Sequence, residues 1–140
     1  MLSVIVLTHH SYTKKWGCIE HTLLALLNQK NVSFEVIVVE NSAPSEDRRR
    51  LRQFTASFPS IRLVDCDNLS RACARNEGVR HARGKTLVFV DDDTIVLTPG
   101  ALARIAELAR QKQYGLGAWR HWTPIGDWFA VHAEDIRQEL

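Results

Sequence analysis

Three consecutive carboxylates, Asp91-Asp92-Asp93, stand directly behind the apolar run Leu87-Val88-Phe89-Val90. Adjacent carboxylates repel one another strongly in a partly buried site. A hard divalent cation such as Mg2+ or Mn2+ relieves that repulsion, prefers oxygen ligands and commonly shares its remaining positions with substrate phosphates. A solvated acidic turn would carry the same letters, but the position at the end of an apolar run favours the cation. Other polar groups close apolar runs in the same way. Thr8-His9-His10 follows Val4-Ile5-Val6-Leu7, Glu40-Asn41-Ser42 follows Val36-Ile37-Val38-Val39, and Asp65-Cys66-Asp67-Asn68 follows Ile61-Arg62-Leu63-Val64. His9 and His10 have no third nitrogen or sulfur ligand within sequence reach, so no zinc site is expected there.

The elements that must position these groups follow from periodicity. The short β-branched runs read as strands, the first being continuous enough to be buried on both faces. Trp16, Ile19, Leu23, Leu26 and Leu27 fall three or four apart and predict a helix over 16–29. Ser45 is the expected N-cap of a second helix with Glu46 and Asp47 in its first turn. A third helix is expected over 71–82, ending near Gly84. Thr98-Pro99, as N-cap and first helical residue, should open a fourth that runs to about Lys112. Beyond Tyr114 the periodicity fades, and residues 115–132 receive no assignment. Strands alternating with helices predict an α/β fold, a mostly parallel sheet with helices on both faces. Right-handed crossovers then bring the carboxyl ends of the parallel strands to one rim, where open α/β sheets bind ligands.

Composition sets the outer bounds. The chain has 140 residues, about one domain's worth, with 45% hydrophobic and 24% charged residues. Eighteen Lys and Arg against sixteen Asp and Glu leave a net charge of +2. That mild basicity argues against a nucleic-acid partner, which demands a denser basic patch. The cysteines, Cys18, Cys66 and Cys73, are odd in number and include no CxxC pair, which suits a reducing compartment. The N-terminal apolar run stops at Thr8 and has no basic residue ahead of it, too short for a signal peptide or a membrane span. A cytoplasmic location is therefore expected, with peripheral membrane contact left open. The first strand leads into Thr8-His9-His10-Ser11, with neither a GxGxxG nor a GxxxxGK[ST] pattern, so dinucleotide-binding and P-loop readings fail. Any phosphate would have to be met by metal and basic side chains.

Four segments, in order and at suitable spacing, resemble the nucleotide-sugar-binding half of a family 2 glycosyltransferase of the GT-A fold. Ser3-Val4-Ile5-Val6-Leu7-Thr8 is similar to that family's first strand, and Leu23-Leu24-Ala25-Leu26-Leu27-Asn28-Gln29 to its "SLLNQ" helix end. Phe34 to Ser42 is similar to its "EIIVVDNGS" strand. Asn68-Leu69-Ser70-Arg71-Ala72-Cys73-Ala74-Arg75-Asn76-Glu77-Gly78-Val79, with Ala82-Arg83-Gly84 and Val88 to Asp93, resembles "NxGxxxARNxGixxAxGxxixFLDxD". The likeness covers residues 1–112, with Ser70 standing where the family has Gly.

What the resemblance implies is a Rossmann-like nucleotide-diphospho-sugar transferase fold and metal-dependent transfer of a sugar to an unknown glycan, lipid or small-molecule acceptor, with inversion. It implies that Thr8 and Glu40 hold the nucleotide base, Glu40 replacing the family's Asp. Asn41 and Asn68 join the nucleotide-binding set, and Arg75 faces the diphosphate. Asp91-Asp92-Asp93 becomes the DXD motif, with Asp93 on the Mg2+ or Mn2+, Asp91 supporting it and Asp92 near the ribose. It also divides the chain into a donor-binding domain at 1–112 and a short, incomplete acceptor-side segment at 113–140. Asp135, in a Glu134-Asp135 pair like the family's "ED", is the candidate catalytic base, although His132 to Arg137 reads equally as an acid-rich helix start. A non-catalytic nucleotide-binding module lacking an acceptor site is the alternative; a nucleotidyltransferase is disfavoured by the missing Gly-rich loop. Arg48-Arg49-Arg50 and Arg52 read as a solvated helix face. Trp119, Trp122, Trp128 and Phe129 read either as a sugar-stacking surface or as the core of the C-terminal segment.

Overall fold

The computed structural model describes residues 1–13 and 19–111, together with the backbone of two short strands at 116–118 and 128–132. Its elements run β1 (Leu2–Thr8), α1 (Ile19–Leu27), β2 (Phe34–Glu40), α2 (Glu46–Thr55), β3 (Ile61–Asp65), α3 (Arg71–His81), β4 (Thr86–Asp91), α4 (Ala101–Gln111), β5 (Leu116–Ala118) and β6 (Trp128–His132). They form one sheet in the order β3-β2-β1-β4-β6-β5. The first four of these strands are parallel, as expected, and β6 adds antiparallel to β4. The strands β5 and β6 were outside any sequence expectation: three and five residues long, they carry too few positions for a period to show.

Continuous apolar runs form the central strands because both faces are covered. Side chains alternate between faces, and the core divides accordingly. Val4, Val6, Val36, Val38, Val88 and Val90 pack with Ile19, Leu23 and Leu26 of α1, Leu51 of α2, and Leu102 and Ile105 of α4. Ile5, Ile37, Val39, Leu87 and Phe89 pack on the other face with Ala74 and Val79 of α3. Only α3 covers that second face among the described residues, and it lies close. A Cβ added at Gly78 would stand 2.6 Å from Ile5 Cγ2 and 3.1 Å from Val39 Cγ2, so the small residue is what lets the helix approach.

Connectivity locates the rim. From β1 the chain steps outward through β2 to β3, then α3 returns it across the opposite face to β4 on the other side of β1. The order therefore reverses between β1 and β4, the place where open α/β sheets bind ligands. Register aligns the ends. Thr8 pairs with Glu40, Glu40 with Asp65, and Leu7 with Asp91, so the polar residues closing four strands share one edge.

Two helix starts contrast. Ser45 caps α2 as expected, its hydroxyl accepting the Arg48 N–H at 3.3 Å. The start of α4 departs from expectation: the helix begins at Ala101, two residues beyond Pro99. The Gly100 carbonyl accepts the first helical bond, from Arg104 N–H, and Thr98-Pro99 forms a turn docked on the end of α1. Pro99 C=O accepts from Lys30 N–H at 2.7 Å, and the orphan N–H of Leu102 is satisfied by Gln29 Oε1 at 3.1 Å. The cap is tertiary, so the local Thr-Pro signal misplaces it.

Candidate active site

A cavity of about 590 Å³ opens at the carboxyl rim over the β1–β4 switch. Thr8, Asn41, Asn68, Arg75, Asp91, Asp92 and Asp93 all line it, joined by His9 and Arg71. Each comes from a strand end, from the loop after β3 or from the first turns of α3, so the convergence follows from the parallel sheet.

The aspartates do not behave alike. Asp91 is the last residue of β4, and its carbonyl accepts the Thr94 N–H at 3.1 Å, closing a turn that carries Asp92 and Asp93. Asp92 is buried, and its carboxylate accepts the Thr8 hydroxyl at 2.6 Å across the strand gap. Asp91 and Asp93 are half-buried at the cavity wall. Arg75 reaches Asp91 Oδ1 at 3.5 Å, which places this arginine in the wall rather than on a solvated helix face.

No three His, Cys, Asp or Glu side chains converge into a metal cage among the described residues. The donor set is instead a pair of accessible carboxylates, Asp91 and Asp93, with the third committed to Thr8. Such a pair fits a hard cation that keeps several positions for water and phosphate oxygen, rather than one enclosed by protein. Asp91, Asp92 and Asp93 against Arg71 and Arg75 also leave the cavity lining with one more formal negative charge than positive.

On the β2 side the polar groups are bonded to one another. Glu40 is fully buried and does not line the cavity. Its carboxylate accepts the Ser42 N–H at 2.8 Å, the Ser42 hydroxyl, and the Ser11 hydroxyl at 3.4 Å. The base contact expected of it therefore differs from its place here, behind the rim: a buried carboxylate needs hydrogen bonds, and the loop's own donors supply them. Asn41 exchanges two bonds with the Leu69 backbone, at 2.8 and 2.9 Å, and so fixes the loop after β3. Within that loop Asn68 adopts φ 50, a left-handed conformation that Asn tolerates better than most residues. His9 Nδ1 lies 3.0 Å from the Asn41 carbonyl, and since a carbonyl only accepts, the Nδ1 proton belongs there.

Sequence reasoning missed Arg48. Expected on a solvated face, it is instead buried, and its guanidinium donates to the carbonyls of Ser42 and Cys66 and to Asp67 Oδ1 at 3.0 Å. It clamps the exits of β2 and β3. Asp65 and Asp67 were the only signal, visible once α2 is known to pack beside β3. Arg49 does remain 78% exposed, as a solvated face requires, while Arg50 lies over the Tyr12 ring at 4.0 Å. Nearby, burial and then the Glu77 carboxylate push the Cys66 thiol pKa up, because both disfavour a thiolate. Asp135, Trp119 and Trp122 lie outside the described residues; Trp128 and Phe129 fall on β6, of which only the backbone is described.

The sheet and its helices have the GT-A glycosyltransferase fold, and the chain belongs to the glycosyl transferase family 2, whose model matches residues 3–139. It is 34% identical over 94 residues to the uncharacterized glycosyltransferase YfnE of Bacillus subtilis (strain 168), a match covering 66% of this chain and 23% of that protein. Among solved structures it resembles the mannosyltransferase PcManGT from Pyrobaculum calidifontis, in complex with GDP-Man and Mn2+. That likeness has a TM-score of 0.82 and 22% identity, and covers 99% of this chain and 46% of the other. It also resembles S. aureus TarS 1-349 in complex with UDP-GlcNAc, at TM-score 0.62 and 21% identity, over 89% of this chain and 36% of that TarS 1-349 chain. The chain thus spans about a quarter of YfnE and less than half of either solved structure.

Proposed function

We propose that the chain forms the donor-binding part of a glycosyltransferase that moves a sugar from a nucleoside diphosphate to an acceptor hydroxyl. The observation that carries this reading is the convergence of Asp91, Asp93 and Arg75 with Thr8 and Asn68 on one cavity at the strand-order switch. Residues 1–112 would form the donor domain and 113–140 a short acceptor-side segment. The neighbours' complexes, one with GDP-Man and Mn2+ and one with UDP-GlcNAc, support a nucleotide-sugar partner while leaving the base open.

Asp91 and Asp93 would hold Mg2+ or Mn2+, which when bound supplies positive charge against the departing diphosphate. Arg75 adds a planar donor fork matched to phosphate oxygens. Asn68 and Thr8 border the nucleotide, and Glu40 shapes the base pocket by holding the Ser42 backbone. Transfer forms a bond from the acceptor oxygen to the anomeric carbon and breaks the bond from that carbon to the diphosphate. A single displacement of this kind inverts the anomeric centre. The hydroxyl proton passes to a carboxylate base, for which Asp135 is the candidate. No helix among the described residues is long and apolar enough to cross a membrane.

Calorimetric titration with UDP, GDP, ADP and dTDP, with and without Mn2+, tests the proposal. One nucleotide should bind far more tightly with metal. Equal, weak heats for all four would refute it. Asp135→Asn should retain that binding and lose transfer, and retained transfer would remove Asp135 from the mechanism.

A further inference from the structure

Between the end of β4 and Ala101 the chain runs without regular helix or strand, and this connection begins with Asp92 and Asp93. Beyond its local turns at Asp91–Thr94 and Thr98–Ala101, such a segment is held in one path by tertiary bonds. Its anchors come from α1 and the residues just beyond it. The buried Thr22 hydroxyl donates to the Asp92 carbonyl at 2.8 Å. Gln29, two residues past the end of α1, donates to the carbonyls of Val96 at 3.3 Å and Thr98 at 2.9 Å, and accepts the Leu102 N–H. All of these bonds reach backbone, so they fix the chain's course whatever side chains it carries.

Thr22 bears most directly on the site. A peptide unit is planar, so pinning the Asp92 oxygen orients the plane that also contains the nitrogen and Cα of Asp93. The same residue's carboxylate is held by Thr8. Asp92 is thus anchored at the backbone and at the side chain, and the direction in which Asp93 leaves is set by both. Neither Thr22 nor Gln29 lines the cavity.

We infer that Thr22 and Gln29 are positioning residues of the donor site: through the Asp92 carbonyl and the Val96–Thr98 backbone, α1 sets where Asp93 presents its carboxylate. The inference rests on the donor-site reading above. Thr22→Val keeps the shape and removes the hydroxyl; Thr22→Ser keeps the hydroxyl and removes a methyl. Gln29→Met keeps the length and removes all three bonds.

The test is calorimetric titration of GDP and UDP, with and without Mn2+, into wild type and these three variants, with hydrogen exchange of residues 94–100 measured in parallel. Thr22→Val should weaken Mn2+-dependent binding about tenfold, the size of one lost hydrogen bond, and change metal-free binding by less than about twofold. Thr22→Ser should restore it. Gln29→Met should speed exchange across 94–100. Wild-type affinity in folded Thr22→Val overturns the inference, as does an equal loss with and without metal, which would mark general destabilisation. If Thr22→Val does not fold, Gln29→Met is read by the same criteria. If wild type binds neither of these nucleotides, nor ADP nor dTDP, the donor-site reading falls; exchange in the variants then decides the anchoring separately, and unchanged exchange overturns it.

Discussion

The two flanks of β1 treat their polar groups in opposite ways. Toward β2 and β3, Glu40 is bonded to Ser42 and Ser11, Asn41 to the Leu69 backbone, and Arg48 to two carbonyls and Asp67. Toward β4, Asp91 and Asp93 remain half-exposed around a cavity, with Arg75 at the long distance of 3.5 Å from Asp91. The first flank is a network bonded within itself save for the buried Arg48 Nε, and its loss is felt by the folded state. The second concentrates negative charge that a cationic ligand would relieve. Substitutions on the two sides should therefore register in different measurements, stability on one and ligand binding on the other.

The largest expected effect lies on the β4 flank. Asp93→Ala should abolish Mn2+-dependent nucleotide binding while thermal unfolding stays near wild type, because no core contact is removed. Calorimetry paired with circular dichroism checks both halves, and unchanged affinity would remove Asp93 from the metal site. Arg48→Met sets the opposite extreme. It leaves the Ser42 and Cys66 carbonyls without their donor, and should cost about 2–3 kcal/mol in denaturant unfolding, as expected for buried groups left unsatisfied. Binding measured well below the melting transition should keep its metal dependence. If Arg48→Met lost metal dependence as Asp93→Ala does, the division between flanks would fail.

The same division explains how far the sequence could be read. Four strands, the positions of α2 and α3, and the gathering of Thr8, Asn41, Asn68 and the aspartates at one rim were legible, because each depends on local periodicity and on the handedness of crossovers, whereas the place of Arg75 was implied only by the family resemblance. What lay hidden was set by partners distant in the chain. Arg48 looked like its neighbours Arg49 and Arg50 until the carbonyls of Ser42 and Cys66 were placed around it. Thr98-Pro99 offered a sound local cap, yet Gln29 supplies the bond that matters from 73 residues away. Ser70, noted as a departure from glycine, proves to cap α3 by accepting the Cys73 N–H at 3.2 Å. That role was available from the N-cap preference of serine.

Glu40 sharpens the boundary between the flanks, since it was expected to contact the base and is found bonded to its own loop. Glu40→Ala leaves the Ser42 N–H unpaired and should lower stability by about 1–3 kcal/mol. If Glu40 acts only by holding Ser42, nucleotide affinity should fall modestly and recover in Glu40→Gln, whose amide oxygen still accepts a bond. A direct base contact would instead weaken nucleotides without affecting bare pyrophosphate. Calorimetry with both ligands separates the two.

The smallest effect concerns the two described thiols. Cys73 is exposed, whereas Cys66 is buried at the exit of β3 with its pKa raised, first by burial and then by Glu77. Peptide-mapped alkylation should therefore modify Cys73 well before Cys66. Glu77→Gln removes a negative charge that opposes the Cys66 thiolate, so the thiolate should form at lower pH and its alkylation should speed up. Because burial is the larger cause and remains, Cys66 should still react more slowly than Cys73 and its rate should still rise with pH. Glu77 itself is held below the usual carboxylate range, first by its hydrogen bond from Arg80. It is therefore charged throughout the neutral and alkaline range in which the thiols are assayed, which makes the glutamine variant a fair test of its field. A Cys66 rate that ignores both pH and Glu77 would mean that access, not ionisation, governs this thiol, and that the network on the β2–β3 flank rarely opens.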